Sequence, residues 1–252
     1  MIIDAPTPAQ LPQLRELWKE AFGDTEDFLN AFFATAFDPR RCLCVLLEGT
    51  VAAALYWFDC TVLGQKVAYL YAVATAKAHR GKGLARGLMD YTHRYLKGQG
   101  YAMAVLVPGQ ESLFRFYSAM GYRSCSPVRS FACGPAEMEL TLQPIDGAEY
   151  ARLRRSLLPQ GGVVQEGENI AFLQAQAALY AGPGLLLAAR REGAVLHGVE
   201  LLPDASAAPG IVAALDCETG FFRTPGQGED FAMYYPLDSG AAAPAYFGLA
   251  FD

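Results

Sequence analysis

Apolar residues in TPAQLPQLRELWKEAF fall at helical spacing, with Leu11, Leu14, Leu17, Trp18 and Ala21 on one face behind a Thr7-Pro8 start. A second helical stretch, TEDFLNAFFATAF, runs up to Pro39. The period then shortens. RCLCVLLEG and TVAAALYWFDC are apolar runs separated by Glu48-Gly49-Thr50, which predicts a hairpin. QKVAYLYAVAT is apolar on both faces and predicts a strand interior to a sheet. Beyond it Leu84, Leu88, Tyr91 and Tyr95 form a helical stripe that Gly98 and Gly100 close. YAMAVLVP reads as a strand, ESLFRFYSAM as a short helix, and GYRSCSPVRSFAC as a turn and closing strand. Strands alternating with helices after an early hairpin predict a mixed α/β sheet.

The pattern then starts again. LQPIDGAEYARLRRSLL repeats the opening strand and helix, and NIAFLQAQAALYAGPGLLLAARREGAVLHGVELLPD lies almost without gaps over DFLNAFFATAFDPRRCLCVLLEGTVAAALYWFDC. On this reading each is a helix, a Pro or Gly break and two strands joined by Glu-Gly. A duplicated fold is expected, with a boundary where Gly134 and Pro135 interrupt the pattern: residues 1–134 form one domain and 135–252 a degenerate second copy. AYFGLAFD at the end reads as an apolar strand.

Composition sharpens this division. The 252 residues are 52% hydrophobic and 18% charged, enough for a sizeable core. Residues 1–136 carry 14 basic and 11 acidic side chains, whereas 137–252 carry 6 and 15, so the halves differ in sign. The overall charge of −6 argues against nonspecific nucleic-acid binding, which needs a basic face. The best apolar stretch, Cys42–Phe58, is interrupted by Glu48, Gly49 and Thr50, and MIIDAPTPAQ lacks the basic start and apolar run of a secretory signal. A cytoplasmic protein with no membrane partner is expected. Six cysteines without a CxxC pair read as reduced packing thiols, and the scattered His79, His93 and His197 imply no metal.

One stretch stands apart. TAKAHRGKGLAR, residues 75–86, places four basic side chains and two glycines, with no acid, between the interior strand and a helix. Such a turn leaves the first helical N–H groups unpaired, and their partial positive charge favours an anion, phosphate above all. Gly81 and Gly83 let oxygens approach the backbone, while Arg80, Lys82 and Arg86 add longer-range charge. The spacing is neither GxxxxGK[ST] nor GxGxxG. The second half has no counterpart.

The run Arg80, Gly81, Lys82, Gly83, Leu84, Ala85 resembles the coenzyme A loop of the GCN5-related N-acetyltransferase (GNAT) family, Q/R-x-x-G-x-G/A, although Ala78 replaces the Gln or Arg usual two positions earlier. LFRFYSAMGYR is similar to that family's late helix, with Phe116, Tyr117, Gly121 and Tyr122 in place. The resemblance covers residues 1 to about 132. It implies the acyl-CoA N-acyltransferase fold and transfer of an acetyl group from acetyl-CoA to an amine of a small molecule or peptide. It also implies pantetheine pairing with the backbone of Val73 and Thr75, pyrophosphate on residues 80–85, the Val73 N–H as oxyanion donor and Tyr117 as general acid. The family's strand glutamate is missing from AYLYAVAT. Glu111 reads as an exposed helix-start acid, and the terminal carboxylate of Asp252 is a further candidate base. The absent glutamate keeps a second reading open, a coenzyme A-binding module without chemistry, and a different acyl donor would use the same loop. His79 is expected to support the loop, and His93 reads as a surface residue. Of Tyr56, Trp57, Phe58, Tyr69 and Tyr71, at most half can face a substrate, because neighbours along a strand alternate.

Overall fold

The structure is a computed structural model that describes residues 1–251. Its first half runs β1 (Ile2–Asp4), α1 (Leu11–Phe22), α2 (Glu26–Thr35), β2 (Cys42–Leu47), β3 (Thr50–Val62), β4 (Gln65–Thr75), α3 (Leu84–Gly98), β5 (Met103–Leu106), α4 (Glu111–Ser118) and β6 (Arg123–Cys133). The second runs β7 (Gln143–Pro144), α5 (Gly147–Leu157), β8 (Val164–Gln165), α6 (Glu168–Gln174), β9 (Ala178–Gly182), β10 (Leu185–Glu192), β11 (Val195–Leu202), α7 (Ala208–Ala214), β12 (Thr219–Pro225) and β13 (Glu229–Pro236). Local chemistry sets the helix ends. Gly23 closes α1 in the left-handed region, the Thr25 hydroxyl accepts the Phe28 N–H at the start of α2, and Asp146 accepts the Glu149 N–H at the start of α5.

All thirteen strands among the described residues join one sheet, ordered β1-β2-β3-β4-β5-β13-β6-β12-β11-β10-β9-β7, with β8 added to β3. Apart from β8, the order has the same plan from either end. Each side has antiparallel strands, then one parallel pair spanned by a helix: β4 and β5 across α3, β11 and β12 across α7. At the centre the halves interlock. β13 returns from the second half to lie antiparallel between β5 and β6, and β6 reaches across to pair with β12.

This order corrects the register expected between the halves. The segment NIAFLQAQAALY is not one helix: α6 stops at Gln174 and Ala178–Gly182 belongs to β9. Counting from the sheet ends, β9, β10 and β11 stand where β2, β3 and β4 stand, so Glu192-Gly193 corresponds in position to the Leu63-Gly64 turn and not to Glu48-Gly49. An apolar, alanine-rich run satisfies both periods, and pairing with β10 decides for strand.

One face of the sheet is covered by α1, α2, α5 and α6, the other by α3, α4 and α7. Between the sheet and the first set lies the end of the chain. AYFGLAFD is not a strand: up to Phe251 it has one isolated bridge, Gly162 to Tyr246, yet Tyr246, Phe247, Leu249, Ala250 and Phe251 are buried. Its carbonyls are met mainly by side chains. Gln165 Nε2 donates to Leu249 O (2.8 Å) and the Tyr71 hydroxyl donates to Phe251 O (2.7 Å). Polar groups delivered from outside thus replace a ladder.

Candidate functional site

The site begins where two strands part. β4 pairs with β5 only at Val67, Ala68 and Tyr69, after which β5 ends at Leu106 while β4 runs on to Thr75. On its other side β4 remains paired with β3 as far as Ala53 and Thr75, with a register shift between Ala54 and Tyr56. The bulge falls at Ala72, whose φ of 48° is unusual for a residue with a Cβ, and it re-aims the backbone that follows. Ala76 N–H bonds to Ala52 O, so by the alternation of an antiparallel ladder Val73 and Thr75 turn their amide groups to the open edge. That edge can accept an extended chain as an added strand.

The open edge leads into the basic loop. A single 3₁₀ turn, Lys77–His79, is followed by extended Arg80 and by Gly81 and Gly83 at φ of 74° and 78°. No atom would obstruct a Cβ at either glycine, so the requirement is conformational rather than steric. α3 starts at Leu84 and Gly87 N–H bonds Gly83 O, which leaves the N–H groups of Leu84, Ala85 and Arg86 without a helical acceptor. Long side chains fold back to brace the loop: Arg80 Nε donates to Thr75 O (3.0 Å), Lys82 Nζ to Ala78 O (2.9 Å) and Arg86 to Ala119 O (3.3 Å). Thr75 O on the open edge is therefore engaged by Arg80. From α1, Glu20 accepts the Lys77 N–H (2.9 Å).

Val73, Leu84 and Tyr117 meet in one hydrophobic cluster between the sheet and α3 and α4. The Tyr117 ring is buried, and its hydroxyl has no hydrogen-bond partner among the described residues. Burial pushes that phenol up to about 12, so it stays protonated throughout the physiological range. Glu111 is exposed at the start of α4. His79 is half-buried with its Nδ1 unpartnered. Asp252 lies outside the described residues.

His93 is not a surface residue. It is buried, its Nε2 is 2.7 Å from the Tyr122 hydroxyl, and its ring stacks on Tyr235 at 4.1 Å. Desolvation lowers it to about 4 and holds it neutral. The sequence carried the signal: His93 falls four residues after Met89 and three before Leu96, on the inward stripe of α3. Of the five aromatic residues on β3 and β4, Trp57 turns to the α3 side, while Tyr56, Phe58, Tyr69 and Tyr71 pack with Trp18, Phe32, Phe172 and Phe251 on the opposite face. All six cysteines are unpaired.

Sequence reasoning missed a second polar centre. Arg154 and Glu200 form a fully buried ion pair, Nε to Oε2 at 2.7 Å and Nη2 to Oε1 at 3.0 Å, joined by the Tyr150 hydroxyl (2.8 Å) and by Val163 O (2.9 Å). Arg154 stands in no motif visible in the sequence, and only the fold brings Glu200 to it across 46 residues. The pair sits beside Gly248, where a Cβ would collide with Glu200 Oε1 and the Tyr246 hydroxyl.

Comparison with known proteins places this geometry. The family model for the GNAT acetyltransferase domain matches residues 3–125. Among solved structures, a GCN5-related N-acetyltransferase from Anabaena variabilis is 15% identical with a TM-score of 0.75, over 94% of this chain and 73% of that one. One from Kribbella flavida is 17% identical with a TM-score of 0.71, over 94% and 71%. Eis1 from Mycobacterium abscessus is 13% identical with a TM-score of 0.67, over 94% and 74%. At these identities the likeness is one of fold, and it extends through the second half. No curated protein matches the sequence. The molecule has the acyl-CoA N-acyltransferase fold, and residues 3–125, with the open strand edge and the basic loop, belong to the GNAT acetyltransferase family.

Proposed function

We propose that the protein is a cytoplasmic acetyl-CoA-dependent N-acetyltransferase acting on a primary amine of a small molecule or peptide. The observation that carries this reading is continuity: an unpaired stretch of β4 runs directly into a loop of unpaired amides and basic side chains, with a partnerless phenol on the cluster they share. In this reading pantetheine lies along Val73 and Thr75, displacing Arg80 from Thr75 O. The pyrophosphate sits on Arg80, Gly81, Lys82, Gly83, Leu84 and Ala85.

The amine nitrogen attacks the thioester carbonyl, the C–S bond breaks, the thiolate leaves and the amine proton passes to water. The Val73 N–H, set by the bulge at Ala72, supports the oxyanion. Tyr117 donates a hydrogen bond to the sulfur as charge builds there. A thiol ionises near ~8.5, far below this buried phenol, so complete proton transfer runs uphill and the stabilisation is that of a donor. The strand order favours reading residues 135–252 as a degenerate second copy that shapes the acceptor side and lacks its own coenzyme loop.

Calorimetry with coenzyme A tests the assignment, with Gly81→Asp and Gly83→Asp expected to abolish binding. Turnover is then followed with labelled acetyl-CoA against amines, polyamines, aminoglycosides and peptides. Binding without transfer to any of them would favour the alternative of a non-catalytic coenzyme A module, for which the absence of a carboxylate on β4 speaks. Equal or better transfer from propionyl- or succinyl-CoA would change the donor.

A further inference from the structure

α4 ends in a turn whose geometry is held from the far side of the molecule. Gly121 has φ of 94°, and a Cβ there would lie 3.1 Å from Cε2 of Tyr235. Tyr122 follows. Its N–H bonds back to Tyr117 O (3.2 Å), its ring meets the Tyr117 ring edge-on at 5.6 Å, and it lies 5.4 Å from Tyr235. These ring contacts bury area and favour an edge-on approach, but they leave the Tyr122 hydroxyl free to pivot. Direction comes from the 2.7 Å bond between the Tyr122 hydroxyl and His93 Nε2, and His93 in turn lies flat on Tyr235, 8° from parallel. Tyr235 belongs to β13, the strand that the second half inserts beside β5.

We propose that His93 is a positioning residue: by anchoring the Tyr122 hydroxyl, with Tyr235 as its backing, it fixes the Tyr117 ring against the open end of β4. The inference rests on the reading of Tyr117 as the donor to sulfur. It gives the second half a stated part in the first half's chemistry. Burial keeps the imidazole neutral, so the tautomer decides whether Nε2 accepts from the Tyr122 hydroxyl or donates to it; Asp90 and Arg94 flank it on α3 with opposite effects on its proton.

The test is carbon NMR of the full chain labelled at tyrosine Cζ, with the Tyr117 and Tyr122 lines assigned by Tyr117→Phe and Tyr122→Phe. Coenzyme A is the titrant, and its affinity is measured separately by calorimetry. His93→Phe keeps a ring on Tyr235 and removes the bond. It is expected to move both lines and diminish the response of Tyr117 to coenzyme A, with affinity unchanged and acetyl transfer lowered about tenfold or more. His93→Gln, whose amide offers a donor or an acceptor near the Nε2 position, should restore the wild-type lines. A Tyr117 line that ignores His93→Phe while the Tyr122 line moves would overturn the proposal, as would a glutamine variant that behaves like phenylalanine. If His93→Phe does not fold, Tyr122→Phe deletes only the hydroxyl, and the Tyr117 line must move in that variant too. A wild-type Tyr117 line indifferent to coenzyme A, with full turnover in Tyr117→Phe, sinks the donor reading instead; the coupling between His93 and Tyr117 is still read from line positions alone.

Discussion

A phenol that is buried, protonated and without a protein partner is a poor way to stabilise a core and a good way to meet a developing anion. Tyr117→Phe should therefore leave coenzyme A affinity unchanged while lowering turnover by about 10²-fold, which calorimetry and initial rates measure side by side. The turnover of the wild type should show no limb near pH 10, because burial has moved this phenol upward. His93 gives a second pH signature, in stability. Its folded value, about 4, lies below the usual 6.5, so the unfolded chain takes up the proton first. The contribution of neutral His93 is complete above pH 6.5 and is lost as pH falls toward 4, by about 3 kcal/mol at most. Urea midpoints at pH 7.5 and 4.5 should differ by more in the wild type than in His93→Gln. The loop and Tyr117 were legible as residues because glycine spacing and an aromatic-Tyr pair are local signals. His93 was misread from its polarity although its helical spacing pointed inward.

Elements of the second half finish elements of the first. β3 extends past β2, and its bare edge is taken up by β8 at Cys60 and Thr61 and by α6 side chains at Asp59, where Glu168 accepts the N–H (3.0 Å) and Asn169 Nδ2 donates to the carbonyl (2.9 Å). Two side chains here do the work of one more strand residue. The Arg154–Glu200 pair anchors this region through Val163 and Gln165. Removing one partner strands a buried charge: Arg154→Met should cost about 3–5 kcal/mol, while Arg154→Met with Glu200→Leu should recover most of it, as paired denaturation curves would report. Helices and the first hairpin could be read from periodicity because each buries one face against a neighbour close in sequence. β9, the irregular tail and this ion pair could not, since each is decided by partners tens of residues away.

At the scale of the molecule, the order of strands matters more than the boundary near Gly134. The sequence carries two stretches of similar pattern and opposite net charge, but the exchange at the centre was not legible, because strands such as β6 and β13 carry no mark of which neighbour they will join. A fragment ending at residue 134 has its glycine loop and its Tyr117 yet lacks Tyr235, β8 and the strand between β5 and β6. It should show no cooperative thermal transition and no heat with coenzyme A, and supplying residues 135–252 as a separate chain should restore both.

The late arrival of β13 has a consequence for biosynthesis. When β6 has left the ribosome, 95 residues remain between its last residue and the first of β13, so β5 and β6 must wait with unsatisfied amide rows facing one another across an empty lane. A chain stalled in that interval offers a template for any passing strand, and chaperone dependence should end abruptly once Pro236 emerges.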